Sequence, residues 1–186
     1  MNKSKGLILI TFISFIAIYS ISGCIDQTND NVNDFGGEEF SFQGLDGLNK
    51  NLSDYRGKIV ILDMWATWCS PCGYQMLELE KVYHYYGKEI IEIISIDIDQ
   101  GETIKMVQDY IDEFQKNGIN LDWIFGMDVE EIWEKYKISG GIPTLYIFDE
   151  NGKIHYNHEG VSVFSEIPSG WPQNTVTLKE KIDELI

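Results

Sequence analysis

The sequence predicts an α/β fold in which helices pack on a mixed central β-sheet. Two apolar runs, at residues 58–66 and 89–97, have the nearly continuous hydrophobicity of strands that are buried on both faces. Segments of helical periodicity follow them, at residues 73–86 and 101–118. Because strands alternate with helices before a hairpin and a last helix, we expect one mixed sheet with helices beside it.

The first residues predict a secretion signal that is not part of this fold. Lys3 and Lys5 precede an apolar run at residues 7–21, which is short for a membrane-spanning helix and typical of a signal sequence. The run ends in Ile-Ser-Gly before Cys24, so small residues stand where a peptidase would cut. We expect residues 1–23 to be a signal peptide. The alternative is an uncleaved anchor, and both place the domain outside the cytoplasmic membrane.

Charge and composition limit the classes of function. Residues 24–37 are rich in Asp, Asn and Gly, so we expect a flexible acidic tether before a globular domain at residues 38–186. The chain has a formal net charge of −16, and Arg56 is its only arginine. Nucleic-acid-binding proteins usually carry a basic patch, and this sequence has none, so we expect no nucleic-acid partner.

The domain is predicted to begin with a β-hairpin. Apolar side chains alternate between positions 40 and 45, Asp46-Gly47 is a turn signal, and residues 48–52 can return as a second strand. A polar connector at residues 54–58 then leads into the central strand.

The second half of the domain is predicted from its turn and capping signals. A proline that opens a strand after two glycines suggests a special backbone geometry, so the Ile142-Pro143 bond is a candidate for the cis form. The remaining predicted elements are a strand at 121–125, a helix at 129–137, strands at 145–148 and 153–158 joined by a turn at 149–152, an irregular segment at 160–173, and a last helix, opened by a capping box at 177–180, that runs to 186.

Two cysteines, Cys69 and Cys72, stand where the central strand ends and a helix begins. The free N–H groups and the dipole of a helix N-terminus favour negative charge, which lowers the pKa of a thiol and makes it nucleophilic near neutral pH. Cys69 is the outer residue and the expected attacker, and Cys72, one turn on, can resolve a mixed disulfide. Pro71 suits the first turn, where its missing N–H costs nothing.

A zinc site or a static disulfide could also use this spacing. A structural zinc site needs four Cys or His ligands, but Cys24 is the only other cysteine and the three histidines show no ligand pair at standard spacing. A disulfide that closes a four-residue loop stabilises little by entropy. The strand–CxxC–helix context therefore favours redox chemistry, and we expect no metal and no cofactor.

The segment Trp65-Ala66-Thr67-Trp68-Cys69-Ser70-Pro71-Cys72, with Ile142-Pro143-Thr144 further along, resembles the thioredoxin superfamily. More narrowly, residues 40–186 are similar to the TlpA/ResA-like membrane-anchored thiol–disulfide oxidoreductases. The 45–47 hairpin, the 52–58 connector and the extra helix at 101–118 match that group. The resemblance implies a thioredoxin-like fold with an N-terminal β-hairpin and a central helical insertion.

The resemblance also implies roles for individual residues. Cys69 would be the nucleophile and Cys72 the resolving thiol of a redox-active disulfide. Pro143 would be cis and lie against that disulfide, and the backbone of Ile142 would pair with an extended substrate segment. Trp68 would be an apolar contact surface for the substrate.

Three positions bear on the pKa values of the two cysteines. Asp63 falls where thioredoxins keep an acid behind the pair, so it could take the proton of Cys72, although a structural acid is the alternative. Gln75 stands where the family usually has Glu, and Leu77 where it has Pro. Gln75 cannot titrate, so Asp63 is expected to carry more of the tuning.

The residues before Cys24 resemble the lipobox of prokaryotic lipoproteins. This implies that Cys24 carries lipid and that the protein is held on the extracytoplasmic side of the cell membrane.

The sequence therefore favours an enzyme that exchanges disulfides with protein partners, and the resemblance implies that it reduces them, with cytochrome c maturation as one use. We expect a monomer that receives electrons from a membrane donor protein. A thiol peroxidase is one alternative, although the TxxC-like match at Thr67 is one residue short and Arg56 is distant in sequence. A copper-binding module is another, although related carriers have CxxxC and a downstream His, whereas His155 and His158 are expected at the surface.

Overall fold

The structure is a computed structural model that describes residues 37–172 and 174–186. The predicted signal peptide, Cys24 and the predicted tether up to residue 36 lie outside the described residues. The described elements, in chain order, are β1 (Ser41–Gly44), β2 (Asn49–Asn51), a 3₁₀ helix (Leu52–Tyr55), β3 (Ile59–Trp65), α1 (Ser70–Tyr86), β4 (Ile91–Asp97), α2 (Ile104–Lys116), β5 (Ile124–Met127), α3 (Ile132–Tyr136), β6 (Thr144–Phe148), β7 (Ile154–Glu159) and α4 (Leu178–Asp183).

The seven described strands form one mixed sheet in the order β2-β1-β5-β4-β3-β6-β7. The strands β3, β4 and β5 run parallel, whereas β6 is antiparallel to β3 and β1 is antiparallel to β5. All seven side chains of β3 and of β4 are buried, as expected for strands covered on both faces. The fold is thioredoxin-like, and the predicted mixed α/β sandwich with an N-terminal hairpin is confirmed.

Two apolar clusters lie on opposite faces of the sheet. On one face, Ile59, Ile61 and Trp65 of β3 pack with buried side chains of α1, α2 and α4. On the other face, Val60, Leu62 and Met64 pack with the first hairpin and α3. The alternation of β3 side chains therefore assigns each odd-numbered residue of this strand to the α1 side.

The bounds of several elements differ from the sequence-based expectation by one to three residues; α2 and α3, for example, begin three residues later than predicted. The helix α1 begins at Ser70 rather than Gly73 because Cys69 caps it and a proline is tolerated in the first turn. The strand β5 begins at Ile124, three residues later than predicted, because Leu121 and Trp123 are buried without strand pairing. The last helix ends at Asp183 rather than Ile186.

Candidate active site

The two cysteines form a disulfide at the carboxyl end of β3. Their Cα atoms are 5.3 Å apart. Cys69 is the N-cap residue of α1, and Cys72 lies within its first turn. Cys69 is 4% exposed and Cys72 is fully buried, so Cys69 is the sulfur that a partner can reach first.

The first turn of α1 is arranged to stabilise a thiolate on Cys69. The backbone N–H of Cys72 points at Cys69 Sγ, with 3.2 Å between nitrogen and sulfur. In the reduced protein this N–H can donate to the thiolate, and the helix dipole adds to the effect. At such a position a thiol has a pKa below its usual range.

The predicted cis bond is present between Ile142 and Pro143. Pro143 is buried, and the carbonyl oxygen of Ile142 lies 3.7 Å from Cys69 Sγ. The next residue, Thr144, opens β6 and pairs with Met64 of β3. The loop before β6 is thus held against the disulfide, with the backbone of Ile142 at its edge.

Trp68 lies beside the disulfide and is 64% exposed. Its indole Nε1–H donates to Asp99, 2.7 Å away, so the exposed ring is held in place. The preceding Thr67 donates to Glu102 through both its hydroxyl, at 2.6 Å, and its backbone N–H, at 3.3 Å. The segment that leads into α2 therefore fixes the two residues before Cys69.

Asp63 is fully buried in β3, on the α1 side of the sheet. Its Oδ2 accepts a hydrogen bond from Ser95, 3.0 Å away, and Ser95 in turn accepts from Trp123. Its Oδ1 has no hydrogen-bond partner among the described residues. Burial raises the pKa of Asp63 to about 7, and the hydrogen bond from Ser95 opposes part of that rise.

Sequence reasoning missed a second buried acid near the pair. Asp97 ends β4 and is 1% exposed. Burial, followed by the contact with Glu102, raises the pKa of Asp97. The two carboxyl groups can share a hydrogen bond only while one holds a proton. The acidic residue at the end of an apolar strand was a signal that could have found it.

Gln75 has a structural role that its sequence position did not reveal. It is fully buried on α1, its Nε2 donates to the Ser162 carbonyl at 3.1 Å, and its Oε1 accepts from the Ser162 N–H at 2.7 Å. Glu78, one turn on, accepts from the N–H of Phe164 at 2.8 Å. These two side chains fix the irregular segment after β7 along α1.

Two histidines contact neighbours on β7 and after α4, and the arginine lies at the far end of β3 from the disulfide. His155 contacts Glu184 at 2.9 Å, and His158 stacks on Tyr156. Arg56 donates to the carbonyls of Leu52 and Glu38, at the end of β3 opposite the disulfide, which is about 20 Å of strand away. The peroxidase alternative thus lacks an arginine beside Cys69.

Among residues 37–172 and 174–186, no group of three His, Cys, Asp or Glu side chains is arranged to hold a metal ion. No helix in that part of the chain is long and apolar enough to cross a membrane.

Known proteins resemble this chain in sequence and in fold. The thiol-disulfide oxidoreductase ResA of Geobacillus thermodenitrificans is 31% identical over 116 residues, which are 62% of this chain and 63% of that protein. ResA of Oceanobacillus iheyensis is 31% identical over 163 residues, covering 82% of this chain and 77% of its own length. The structure of StoA from Bacillus subtilis superposes with a TM-score of 0.53 at 20% identity, covering 68% of this chain and 90% of StoA, which supports the fold.

The alignment to the first of these relatives leaves more than a third of that relative unmatched, since it spans 63% of its length. The AhpC/TSA family model matches residues 32–157, which include β1 to β6, both cysteines and Pro143. Together with the thioredoxin-like sheet and the ResA relatives, this match shows that the chain belongs to the AhpC/TSA family of thioredoxin-like proteins.

Proposed function

We propose that this protein is a thiol–disulfide oxidoreductase that reduces disulfides of protein partners through Cys69 and Cys72. The observation that carries the proposal is the cysteine pair at the N-terminus of α1, with an N–H aimed at Cys69 Sγ and a cis-proline loop against it. A static disulfide would need neither feature. The ResA relatives, which are named thiol-disulfide oxidoreductases, support the same chemistry.

The reaction begins with the reduced pair. The Cys69 thiolate attacks one sulfur of the partner's disulfide, a mixed disulfide forms, and the partner's other sulfur leaves as a thiolate. Cys72 then loses its proton and attacks Cys69 Sγ, which releases the partner's second thiol and closes the Cys69–Cys72 disulfide. Two electrons and two protons pass to the partner, so a donor must reduce the pair again before the next turnover.

Asp63 is the proposed acceptor of the Cys72 proton. It faces the α1 side of the sheet, and its pKa of about 7 allows the carboxylate to form at neutral pH and to hold a proton in return. Its unpartnered oxygen, Oδ1, is free to take that proton, directly or through water.

Substrate binding is assigned to the surface around Cys69. The exposed ring of Trp68 offers apolar area, and the backbone of Ile142 can pair with an extended segment of the partner. The cis Pro143 keeps that backbone beside the sulfur. Partners of this kind are proteins with exposed dithiols or disulfides, including CxxC-containing haem-binding proteins that must be reduced before haem attachment.

The cellular setting is also proposed. The apolar run at residues 7–21 and the Ile-Ser-Gly sequence before Cys24 support cleavage and lipidation at Cys24 on the extracytoplasmic side of the cell membrane. A reductase outside the cytoplasm needs electrons delivered through the membrane, so its donor is a membrane protein. Mass spectrometry of the membrane-bound chain, before and after Cys24→Ser, tests this placement, and a mature N-terminus elsewhere contradicts it.

Cysteine variants test the enzyme mechanism directly. With Cys72→Ser, attack still occurs but release does not, so mixed disulfides with partner proteins should accumulate and be visible on non-reducing gels. With Cys69→Ser, both trapping and turnover should disappear. Full disulfide-reductase activity of Cys69→Ser would overturn the proposal.

The reduction potential of the Cys69–Cys72 pair gives the direction of the reaction. A value near that of thioredoxin, about −270 mV, supports a reductase, and one near about −120 mV supports a disulfide donor.

A further inference from the structure

The loop before Pro143 wraps around a carboxylate from the end of β7. Glu159 Oε2 accepts the backbone N–H of Ser139 at 2.7 Å and that of Gly140 at 3.0 Å. Its other oxygen, Oε1, accepts the Ser139 hydroxyl. Nothing in the mechanism above uses this carboxylate, although it contacts the loop that lies against the disulfide.

The backbone of this loop is shaped to hold an anion. Successive N–H groups that point to one side form a concave site for negative charge, which requires one residue in a left-handed conformation. Gly140 supplies that conformation with a φ of 106°. A Cβ on Gly141 would lie 2.8 Å from Glu159 Oε1, so the carboxylate approaches closer than any other residue would allow. Gly140 and Gly141 thus give the loop the shape and the space that the Glu159 carboxylate needs.

Glu159 keeps its charge because the loop stabilises it. The hydrogen bonds from Ser139, together with those from the backbone of Gly140 and Gly141, lower the pKa of Glu159 to about 2. Among the described residues, Glu159 forms no ion pair with a Lys, Arg or His, so the loop is its principal partner.

The far end of the loop is fixed as well. The Thr144 hydroxyl donates to the Gly141 carbonyl at 2.6 Å, and the Gly160 N–H donates to the Pro143 carbonyl at 2.8 Å. Between these bonds and the carboxylate lies Ile142, whose carbonyl is 3.7 Å from Cys69 Sγ. The position of Ile142 is therefore set from both sides.

We propose that Glu159 is a positioning residue for protein substrates: its carboxylate holds residues 139–141 so that the Ile142 backbone is ready to pair with an extended partner segment. This inference rests on the proposed function and adds a distinction between substrates. A protein disulfide that docks by strand pairing benefits from a preformed edge, because the loop then loses no freedom on binding. A small disulfide that touches only the sulfur does not.

The test compares two substrates with Glu159→Gln. The amide keeps the size of the side chain, but it removes the charge and turns one acceptor into a donor that faces backbone N–H groups. With insulin as the protein disulfide, and dithiothreitol as the reductant, we expect kcat/KM to fall about tenfold, chiefly through a higher KM. With oxidised glutathione, kcat/KM should stay within about twofold of the wild-type value.

Glu150→Gln is the matched control, because it removes one charge from the opposite end of the β6–β7 hairpin, where the side chain is exposed. It should leave both rates unchanged. Equal loss on both substrates, or no loss on insulin, would overturn the inference.

Hydrogen exchange of the Ser139 and Gly140 amides in the full chain makes the test independent of activity. Faster exchange in Glu159→Gln than in Glu150→Gln supports the proposal that Glu159 holds the loop, and equal exchange refutes it. A wild-type protein that reduces neither substrate would overturn the proposed function, and the exchange result would still decide whether Glu159 holds the loop.

Discussion

At the scale of single residues, the role proposed for the buried acid Asp63 predicts how release of the mixed disulfide depends on pH. If Asp63 takes the Cys72 proton, release of the mixed disulfide should accelerate as pH rises through about 7, where the carboxylate forms. Asp63→Asn should abolish this rise with pH and slow release of the mixed disulfide about 100-fold, the lower end of the range for a general base. Rapid-quench measurement of mixed-disulfide decay between pH 5 and 9 checks this.

Ser95→Ala provides a control that keeps the acid. The Ser95 hydroxyl donates to Asp63 and favours its charged form. Loss of this hydroxyl should therefore raise the pKa of Asp63 further and move the rise in release rate to higher pH. Decay in Asp63→Asn with the rate and pH profile of the wild type would leave Asp63 as a structural acid.

The site residues differ in how well sequence could predict them. Cys69, Cys72 and Pro143 carry local signals, namely the spacing at a strand–helix junction and a proline after glycines, and the disulfide and the cis bond are both present. Glu159 and Gln75 act on backbone that is 20 and 87 residues away along the chain. A hydrogen bond from a side chain to distant backbone leaves no periodic pattern, so only the folded chain reveals it.

At the scale of elements, the sequence predicts what local rules determine. The capping box at Thr177 and Glu180 opens α4 as expected, and the Asp46-Gly47 turn joins β1 to β2. The 3₁₀ helix at Leu52–Tyr55 was not predicted, although Asn51 and Asp54 form a capping box that could have indicated it. The boundary of β5 depends on its pairing with β4 and β1, and a local sequence pattern carries no information about such pairing.

The contact between α1 and α2 depends on Gly73, which follows Cys72. A Cβ at Gly73 would lie 2.9 Å from the Tyr110 hydroxyl of α2, and its next neighbour, Phe114 Cζ, would be at 3.8 Å. Tyr110 packs its ring on Trp65 at 5.3 Å between centroids. The glycine therefore lets α2 approach the first turn of α1, beside the disulfide.

A double-mutant cycle measures this contact. Alanine in a helix interior is more stable than glycine by about 1 kcal/mol, so Gly73→Ala should stabilise the protein in a Tyr110→Phe background, where the hydroxyl is absent. In the wild-type background the clash should cancel that gain, giving a coupling of about 1 kcal/mol. Chemical denaturation of the four proteins gives the result, and equal effects of Gly73→Ala in both backgrounds would rule out the close contact as its cause.

At the scale of the whole molecule, buried acids and the negative net charge make the protein less stable as pH rises. Asp63 and Asp97 have raised pKa values, so between about pH 4 and 7 the folded chain keeps protons that the unfolded chain has released. The unfolded state then binds fewer protons, and the free energy of unfolding decreases as pH rises. Glu159 acts in the opposite sense, but its contribution is complete above about pH 4.5 because its pKa is lowered.

The self-repulsion of a chain with a formal charge of −16 adds to this trend, and salt screens it. We therefore expect a thermal midpoint that is higher at pH 5 than at pH 8. Salt should recover only part of the difference, because it screens surface charges and leaves the cost of burying a carboxylate in place.

Asp63→Asn separates the two contributions. For Asp63 the shift from 3.8 to about 7 corresponds to at most about 4 kcal/mol of stability lost by pH 8, so this variant should melt well above the wild type at pH 8 and close to it at pH 4. Glu130→Gln, which removes one exposed charge, should change the midpoint by less than about 2 °C at either pH. Calorimetry of the three proteins at both pH values and two salt concentrations checks this, and a wild-type midpoint that is equal or higher at pH 8 than at pH 5 would contradict it.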